Sequence, residues 1–468
     1  MKKSILSEAF RVVFDNDFGT NDRAYVPEVW AQESLMVLED HMVAANLVHR
    51  DFEDDIKEFG DLVNTRRPSS FTAKRKTDND DISLQDAEAT KVQVKLNQYL
   101  YTSFLIRDGQ MTRSFKDLVN EFLTPAVVSI ATATDQIILN QAYGFMANSV
   151  GQLSTDPTKS TVISAGTKMN TNKAPGNPGD RVMFLSPNAH GALLGVEDFT
   201  KVSYADDAGE ALKNANLGRK FGWDFYMCQN VPSVATTQTT QAAAINLSAG
   251  YAIGTTTLAI DGTSDTFTAG QWCTIAGDMT PQMIVTPTGT PTNQIIVSPG
   301  LKTAVDNDAV ITVYPVGAVN LSAGYAAGWV KDIAFDAFSD APLSGQMISH
   351  GTTVALREDY GLIGTPTTVL GSLDREVQTA MVNDDQLALG PAGDFCLGIN
   401  KNAVALVSRP LAVVSQEYGV RQAVVNYNGL SIRVSMQYNA TNQGMIVTVD
   451  MLCGVKVLDT NLGVVMYA

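Results

Sequence analysis

The sequence is poor in the residues and patterns on which most enzymes, membrane proteins and secreted domains depend. Its 468 residues include four cysteines and four histidines, and only 18% of them are charged. No window approaches the run of about 18 apolar residues that a membrane helix needs. The cysteines form no CxxC pair, so their spacing argues against a disulfide framework or a zinc site and predicts buried, reduced thiols. They are Cys228, Cys273, Cys396 and Cys453.

Targeting signals and a basic surface are missing as well. The chain begins with two lysines, but Ser7, Glu8 and Arg11 interrupt any apolar stretch after them, so we predict no secretory signal and folding in a cytoplasm. Acidic residues outnumber basic ones, 49 to 33, for a formal net charge of −16. Because binding along nucleic acid depends on clustered Lys and Arg, this balance argues against a chain that coats DNA. If the protein encloses DNA, it does so as a container wall.

Motifs of known catalytic chemistry do not occur. The sequence has no GxSxG, HExxH, P-loop or dinucleotide-binding glycine pattern. Residues 77–88 superficially resemble a calcium loop, but Ile82 and Ser83 stand where a turn glycine is needed. We therefore predict no cofactor, no metal site and no enzymatic activity. The histidines share no motif and are predicted to have surface or capping roles: His41, His49, His190 and His350.

The N-terminal segments predict an arm followed by a projecting hairpin. Residues 1–57 form the arm, with apolar residues at helical spacing from Glu28 to Leu47. Residues 58–106 predict a long β-hairpin, because a strand at Phe59–Asn64 and an alternating strand through Val92, Val94 and Leu96 flank a polar tip. Such a long loop has few possible partners in a monomer. It therefore favours assembly.

The hairpin tip is the candidate functional site. A solvated polar loop is the plain alternative, but we expect its charges to pair with neighbouring subunits and to set the register of assembly, while apolar contacts supply most of the affinity. Deleting residues 66–81 is then predicted to leave a folded monomer that cannot assemble. The tip residues are Arg66, Arg67, Lys74, Arg75, Lys76, Asp78, Asp80 and Asp81.

The strongest helical signal follows the hairpin. Ser114–Leu123 predicts one helical piece, after which Thr124 is predicted as an N-cap and Pro125 as a first-turn residue. The second helix is predicted to run from Ala126 to Tyr143 and to end at Gly144. If Pro125 instead lies inside one continuous helix, we expect a kink there.

The remaining segments predict one α/β domain interrupted by an all-β insertion. Residues 107–231 combine the helix with a strand–helix–strand pattern. Residues 232–395 are rich in Thr, Ser, Gly and Ala, with short alternating strands. Within them NLSAGYA at 246–252 recurs at 320–326, which predicts two tandem β-modules at about 245–318 and 319–395. The α/β character returns in residues 396–468.

Four stretches resemble the tailed-bacteriophage major capsid proteins of the Hong-Kong-97-type (Johnson) fold. They are FLTPAVVSIATATDQIILNQAYG, FGWDFYMCQNVPSV, YNGLSIRVSMQYN (Tyr427–Asn439) and VDMLCGVKVLD (Val449–Asp459). The resemblance is closest to short-tailed phage coat proteins with an inserted β domain, although the doubled β-module departs from a single insertion. It implies an α+β capsid fold with an N-arm (1–57), an E-loop hairpin (58–106), a P-domain with a spine helix and the first part of an A-domain (107–231), the insertion, and a return to the A- and P-domains.

The same resemblance implies a shell subunit of the virion capsid, assembled in the host cytoplasm. Such subunits form hexamers and pentamers, enclose double-stranded DNA without sequence-specific binding, use scaffolding and portal proteins as partners, and rearrange from procapsid to mature shell. Some relatives join an E-loop lysine to an asparagine of another subunit. Lys74 and Lys76 are suggestively placed for this, but no catalytic acid stands out. Two alternatives stay open: a non-viral compartment shell protein of the same fold, and a β-rich phage decoration or adhesin protein.

Overall fold

The structure is a computed structural model. It describes residues 27–50, 62–67, 73, 75–76, 84, 90–108, 122–177, 179–200, 214–234, 240–261, 267–289, 292–314, 316–328, 330, 333–335, 347–350, 353–356, 369–371, 373, 377, 379–413, 420–427 and 429–468. The predictions for most of the arm, for most of the calcium-like segment 77–88 and for the helical piece up to residue 121 lie outside the described residues.

Five α-helices and 26 β-strands are described, with two 3-10 helices. The helices are α1 (Pro27–His41), α2 (Thr124–Leu139), α3 (Lys159–Thr171), α4 (Pro187–Leu194) and α5 (Glu197–Thr200), with 3-10 helices at Asn140–Asn148 and Thr460–Leu462. The strands outside residues 240–389 are β1 (Leu62–Arg67), β2 (Thr90–Lys95), β3 (Gln98–Arg107), β4 (Ser149–Val150), β5 (Arg181–Leu185), β6 (Arg219–Lys220), β7 (Trp223–Met227), β8 (Ser233–Val234), β21 (Gly393–Asn400), β22 (Val404–Arg409), β23 (Val420–Tyr427), β24 (Leu430–Asn439), β25 (Gly444–Val457) and β26 (Gly463–Tyr467).

The strands within residues 240–389 are shorter. They are β9 (Thr240–Ile245), β10 (Thr257–Asp261), β11 (Trp272–Ile275), β12 (Asp278–Thr288), β13 (Gln294–Ser298), β14 (Val310–Val313), β15 (Val316–Asn320), β16 (Ile333–Phe335), β17 (Met347–His350), β18 (Thr353–Leu356), β19 (Val369–Gly371) and β20 (Gln386–Leu389).

A five-stranded antiparallel sheet is the first element of the body. Its 14-residue strand β25 pairs with β3 on one side and with β24 and β22 on the other, and β23 follows β24. Helix α1 packs on β23 and β24, and α2 packs on β3 and β25. Ile432, Val434 and Met436 are buried in alternation with Arg433 and Ser435, as the period-two pattern predicts. One face of the sheet thus carries both helices, and the opposite face is called the outer face below.

The long helix differs from the prediction at both ends. Leu123, the residue before α2, is already helical (φ −71°, ψ −48°), and no side chain caps the helix, so the N-cap prediction for Thr124 is wrong. Pro125 lies in the first turn as predicted. After Leu139 the chain tightens into a 3-10 helix that continues past Gly144, because buried Tyr143 and Phe145 keep this turn packed on the core. Gly144 is therefore not the stop.

A mixed seven-stranded sheet forms the second element of the body. Its order is β4-β26-β21-β5-β7-β6, and β8 pairs with the beginning of β21. The strands β5 and β26 are buried at every position, which explains why they are apolar apart from Arg181 at the start of β5. Sequence from both sides of residues 240–389 therefore builds this sheet. Both sheets and their helices share one hydrophobic core.

Residues 240–389 contain two further β-units, each with its own core. Strands β9–β14 close into a barrel with the order β10-β13-β12-β11-β14-β9. The predicted strands Thr257–Ile260 and Asn293–Val297 fall within one residue of β10 and β13. Strands β15–β20 form a sheet with the order β15-β20-β17-β18 and the pair β16-β19.

Candidate assembly surface

The predicted hairpin is an antiparallel ribbon of β1 and β2. Leu62 lies opposite Lys95, and Arg67 lies opposite Thr90, so β1 is three residues later than the predicted strand Phe59–Asn64. The second strand ends at Lys95, before Leu96. Residues 68–89 connect the two strands.

The structure describes four of the eight predicted tip residues. Arg66 and Arg67 are the last two residues of β1, and Arg75 and Lys76 are exposed. Lys74, Asp78, Asp80 and Asp81 lie outside the described residues. The pairing of these charges with neighbouring subunits stays a prediction.

The ribbon touches the body over a small area. Val94 of β2 is fully buried with Ala405 and Val407 of β22, in a cluster separate from the main core. A Cβ on Gly454 would collide with the Lys95 carbonyl oxygen, so only glycine lets the end of β2 pass close to β25. The chain then turns directly into β3. The ribbon is thus anchored at its base by a few side chains.

The outer face of the five-stranded sheet carries the exposed tyrosines Tyr99 and Tyr101. They are 51% and 59% exposed, respectively. Tyr101 lies opposite Asp450 on β25, which in turn lies opposite Arg433 on β24. The exposed tyrosines therefore border a charged pair. Tyr and Arg are enriched in protein interfaces.

Arg433, Asp450 and Tyr99 form one hydrogen-bonded network across three strands. The Arg433 guanidinium binds Asp450 in bidentate fashion: Nε donates to Oδ1 at 3.0 Å, and Nη2 pairs with Oδ2. Tyr99 Oη donates to Asp450 Oδ2 at 2.8 Å, and Arg433 Nη1 donates to the Ala412 carbonyl at 2.7 Å. The network ties the edge strand β3 to the sheet and to the chain after β22.

The electrostatics of the network follow from burial. The Asp450 side chain is 3% exposed and that of Arg433 is 15% exposed. The hydrogen bond from Arg433 to Asp450 raises the pKa of Arg433, and burial of the guanidinium opposes this shift. Burial, and then the bond to Asp450, raises the pKa of Tyr99. Arg433 therefore stays protonated, and Tyr99 keeps its proton as a donor.

A second buried carboxylate holds the chain after α1. Asp135 lies in the middle of α2 and is 1% exposed. Its Oδ2 accepts the Val43 N–H at 2.8 Å, and its Oδ1 accepts the Ala45 N–H at 3.1 Å. Burial raises the pKa of Asp135, and these backbone donors oppose that shift. The side chain thus joins the long helix to the turn that follows α1.

Replacing Asp135 by alanine is expected to destabilise the body. The change leaves two buried backbone N–H groups without an acceptor, so we expect a loss of about 2–4 kcal/mol in the free energy of unfolding. Thr134→Val is the matched control, because the Thr134 hydroxyl donates only to the Ile130 carbonyl of its own helix and its removal should cost less than about 1 kcal/mol. Chemical denaturation measures both. Equal effects of the two variants would contradict this role for Asp135.

A third buried carboxylate lies in the mixed sheet, shortly after residues 240–389. Asp394 begins β21 and accepts hydrogen bonds from Ser186 Oγ, the N-cap of α4, and from Ser233 Oγ on β8. Cys396 lies beside Ser186. This cluster resembles a nucleophile with an acidic partner, but burial raises the pKa of the Cys396 thiol to about 12. The hydrogen bonds of Asp394 join the start of α4 and strand β8 to β21.

All four cysteines are free and buried, as predicted. Burial raises the pKa of Cys228 to about 11 and that of Cys273 to about 12. Because the thiolate is the reactive form, we expect no thiol to react with a small alkylating reagent at neutral pH in the native protein, and all four to react in denaturant. Mass spectrometry counts the adducts. A rapidly labelled thiol in the folded protein would contradict the described packing.

The carboxylate networks were not predicted from the sequence. A signal for them existed: Arg433 is the one charge in β24, Asp450 has apolar neighbours on both sides in β25, and Asp135 is the one charge in α2. Pairing them required the strand register. Within the described residues, no group of His, Cys, Asp and Glu is arranged to hold a metal ion, and no described helix has the length and apolar character needed to cross a membrane.

No protein-family model matches the chain, and no curated protein matches it in sequence. Its structure is similar to that of mycobacterium phage Che8 at 13% identity, covering 91% of this chain and 90% of that one, with a TM-score of 0.43. It is similar to the capsid of cyanophage P-SCSP1u at 10% identity, 90% and 88% coverage and a TM-score of 0.42. The mature capsid of bacteriophage PhiM1 matches at 10% identity, 90% and 87% coverage and a TM-score of 0.39. All three are structures from phages.

Proposed function

We propose that this chain is the major capsid protein of a tailed phage, a structural subunit that self-assembles into an icosahedral shell around the phage genome. The observation that carries the proposal is the β1–β2 ribbon. Its described contact with the body centres on Val94, and an isolated two-stranded ribbon is marginally stable in water. A ribbon of this kind gains stability when it lies on another surface. In a shell, that surface belongs to a neighbouring copy of the chain.

In this proposal the parts of the chain take the places of the Hong-Kong-97-type elements. The ribbon and residues 68–89 are the E-loop, and residues 1–57 are the N-arm. The five-stranded sheet with α2, its spine helix, is the P-domain, and the mixed sheet is the A-domain. Residues 232–395 are the inserted all-β region, as in the short-tailed phage subtype.

The proposed partners follow from the same assignment. Copies of the chain form hexamers and pentamers, with scaffolding and portal proteins as further partners, during assembly in the host cytoplasm. The wall encloses double-stranded DNA without sequence-specific contacts, which suits a chain of net charge −16. The hairpin-tip cations pair with carboxylates of neighbouring copies. The role of such a subunit is structural and needs no catalytic site.

Electron microscopy of the purified full-length chain tests the proposal. Closed shells tens of nanometres across support it, and a monodisperse monomer under assembly conditions contradicts it and favours the decoration or adhesin alternative. A compartment shell would instead assemble around a cargo peptide. Denaturing gels of the particles test an isopeptide bond through Lys74 or Lys76: a single band at the monomer mass excludes it.

A further inference from the structure

We propose that residues 316–389 are a second, self-closed copy of the 240–313 barrel and form a separable module that the rest of the chain does not need in order to fold. The two units are called module 1 (240–313) and module 2 (316–389). The inference goes beyond shell formation, because it assigns module 2 a role outside the fold of the subunit. It rests on strand order, on a repeated tyrosine contact, on the position of the module ends and on the packing of each module.

The strand order of module 2 repeats that of module 1. Taken in chain order, β15–β20 correspond to β9–β14. The pairs β15-β20, β20-β17, β17-β18 and β16-β19 then correspond to β9-β14, β14-β11, β11-β12 and β10-β13, and all are antiparallel. An isolated β-bridge joins Leu321, directly after β15, to Phe335 of β16. It corresponds to the pairing of β9 with β10 in module 1. Five of the six barrel contacts therefore recur.

The repeated NLSAGYA segment makes the same contact in both modules. Tyr251 and Val305 exchange two backbone hydrogen bonds, at 2.8 and 3.0 Å, and Tyr325 and Met381 do the same at 2.8 Å each. The Tyr251 hydroxyl accepts the N–H of Ala259 at 2.8 Å. In module 2, the Tyr325 hydroxyl accepts the N–H of Ala334 at 2.6 Å. Each tyrosine thus joins three segments of its own module.

The turn before the last strand is also repeated. Asp308 and Asp384 adopt left-handed conformations, with φ of 60° and 64°. The preceding Asn307 and Asn383 each donate to the carboxylate of that aspartate at 2.8 Å. Asn and Asp tolerate this conformation better than other non-glycine residues. The likeness of the two modules therefore extends from topology to single side chains.

The ends of module 2 lie side by side. Val316, at its start, is paired with Ala388, near its end. Module 1 is closed in the same way, because Thr240 is paired with Val313. The chain therefore leaves and returns at one point for each module, and module 2 has its own core around Phe335. Insertions with adjacent ends are the kind that a domain tolerates.

The two modules differ in their contacts with the body. Trp272 and Met283 of module 1 belong to the main core, as does Tyr314 directly after it. The Leu153 N–H donates to the Met279 carbonyl at 3.2 Å, and Lys302 Nζ donates to the Ala147 carbonyl at 2.8 Å.

The described residues of module 2 make fewer contacts with the body. Of its described residues, Ala388 belongs to the main core, and Ser349 Oγ donates to the Gly270 carbonyl of module 1 at 2.8 Å. Deleting module 1 should expose part of the main core, whereas deleting module 2 should expose a smaller contact area.

Two matched deletions in the full chain test the inference. One replaces residues 316–389 by Gly-Ser-Gly, and the other replaces residues 240–313 by the same linker. We expect the first variant to stay soluble and to keep the main thermal unfolding transition within about 4 °C of the parent, a shift of the size that small stability changes produce. The second should lose that transition or aggregate.

Point variants and a second linker protect the test from artefacts. Tyr325→Phe should lower the midpoint temperature of a minor transition assigned to module 2. Tyr251→Phe should also lower the midpoint temperature of the main transition. The inference is overturned if the 316–389 deletion, with both a three- and a six-residue linker, aggregates or loses the main transition. It is also overturned if both tyrosine variants lower the main transition equally. Because unfolding is the readout, these outcomes are independent of whether the parent forms shells.

Discussion

Asp450→Ala is expected to lower the free energy of unfolding by about 3–5 kcal/mol, the range for removing one partner of a buried ion pair. The reason is geometric. Without the carboxylate, the Arg433 guanidinium has lost both bonds of its bidentate pair and has only the Ala412 carbonyl and Tyr99 hydroxyl as partners. Tyr99 loses its acceptor at the same time. Urea denaturation followed by circular dichroism measures the change.

Two controls separate the network from general damage to the sheet. Thr448→Ala removes a methyl group and a hydroxyl that bonds Ser103 on the outer face, at 2.8 Å, and should cost less than about 1 kcal/mol. The double variant Arg433→Met with Asp450→Leu removes both charges and should recover part of the stability lost in Asp450→Ala. A double variant that is no more stable than Asp450→Ala would contradict this account.

Replacing residues 68–89 by Asn-Gly is expected to abolish shell assembly and to leave a folded monomer. Arg67 and Thr90 lie opposite each other, so a two-residue turn, the shortest common hairpin connection, joins the strands and keeps the ribbon paired. This design is sharper than deleting residues 66–81, because it preserves every residue of β1. Sedimentation and electron microscopy measure assembly, and the main thermal transition reports folding.

The loop charges have their own control. Arg75→Gln with Lys76→Gln keeps the loop length and removes two exposed cations. If these cations pair with neighbouring carboxylates, the variant should assemble more slowly than the parent, and its assembly rate should depend less on salt. Normal shells from the Asn-Gly variant would contradict the assignment of residues 68–89 as the assembly element.

The sequence by itself determined the features that depend on local pattern. Alternation located β24, apolar runs and turn residues located the strands of module 1, and the recurring NLSAGYA segment predicted a duplication. The scattered spacing of the cysteines predicted buried thiols, because no two of them lie in a local ligand motif. These conclusions follow from neighbours along the chain, whose spacing the sequence displays directly.

Tertiary structure decided what depends on distant partners. The long helix ends at Leu139, and a 3-10 helix continues past Gly144 because Tyr143 and Phe145 pack into a core built by remote strands. Asp135 meets the turn at residues 43–45, and Arg433 meets Asp450 only through the register of β24 and β25. A charge in an apolar strand is visible in the sequence, but its partner is chosen by the fold. The same holds for the ribbon: polarity predicted a projecting hairpin, and the pairing of Arg67 with Thr90 set where it closes.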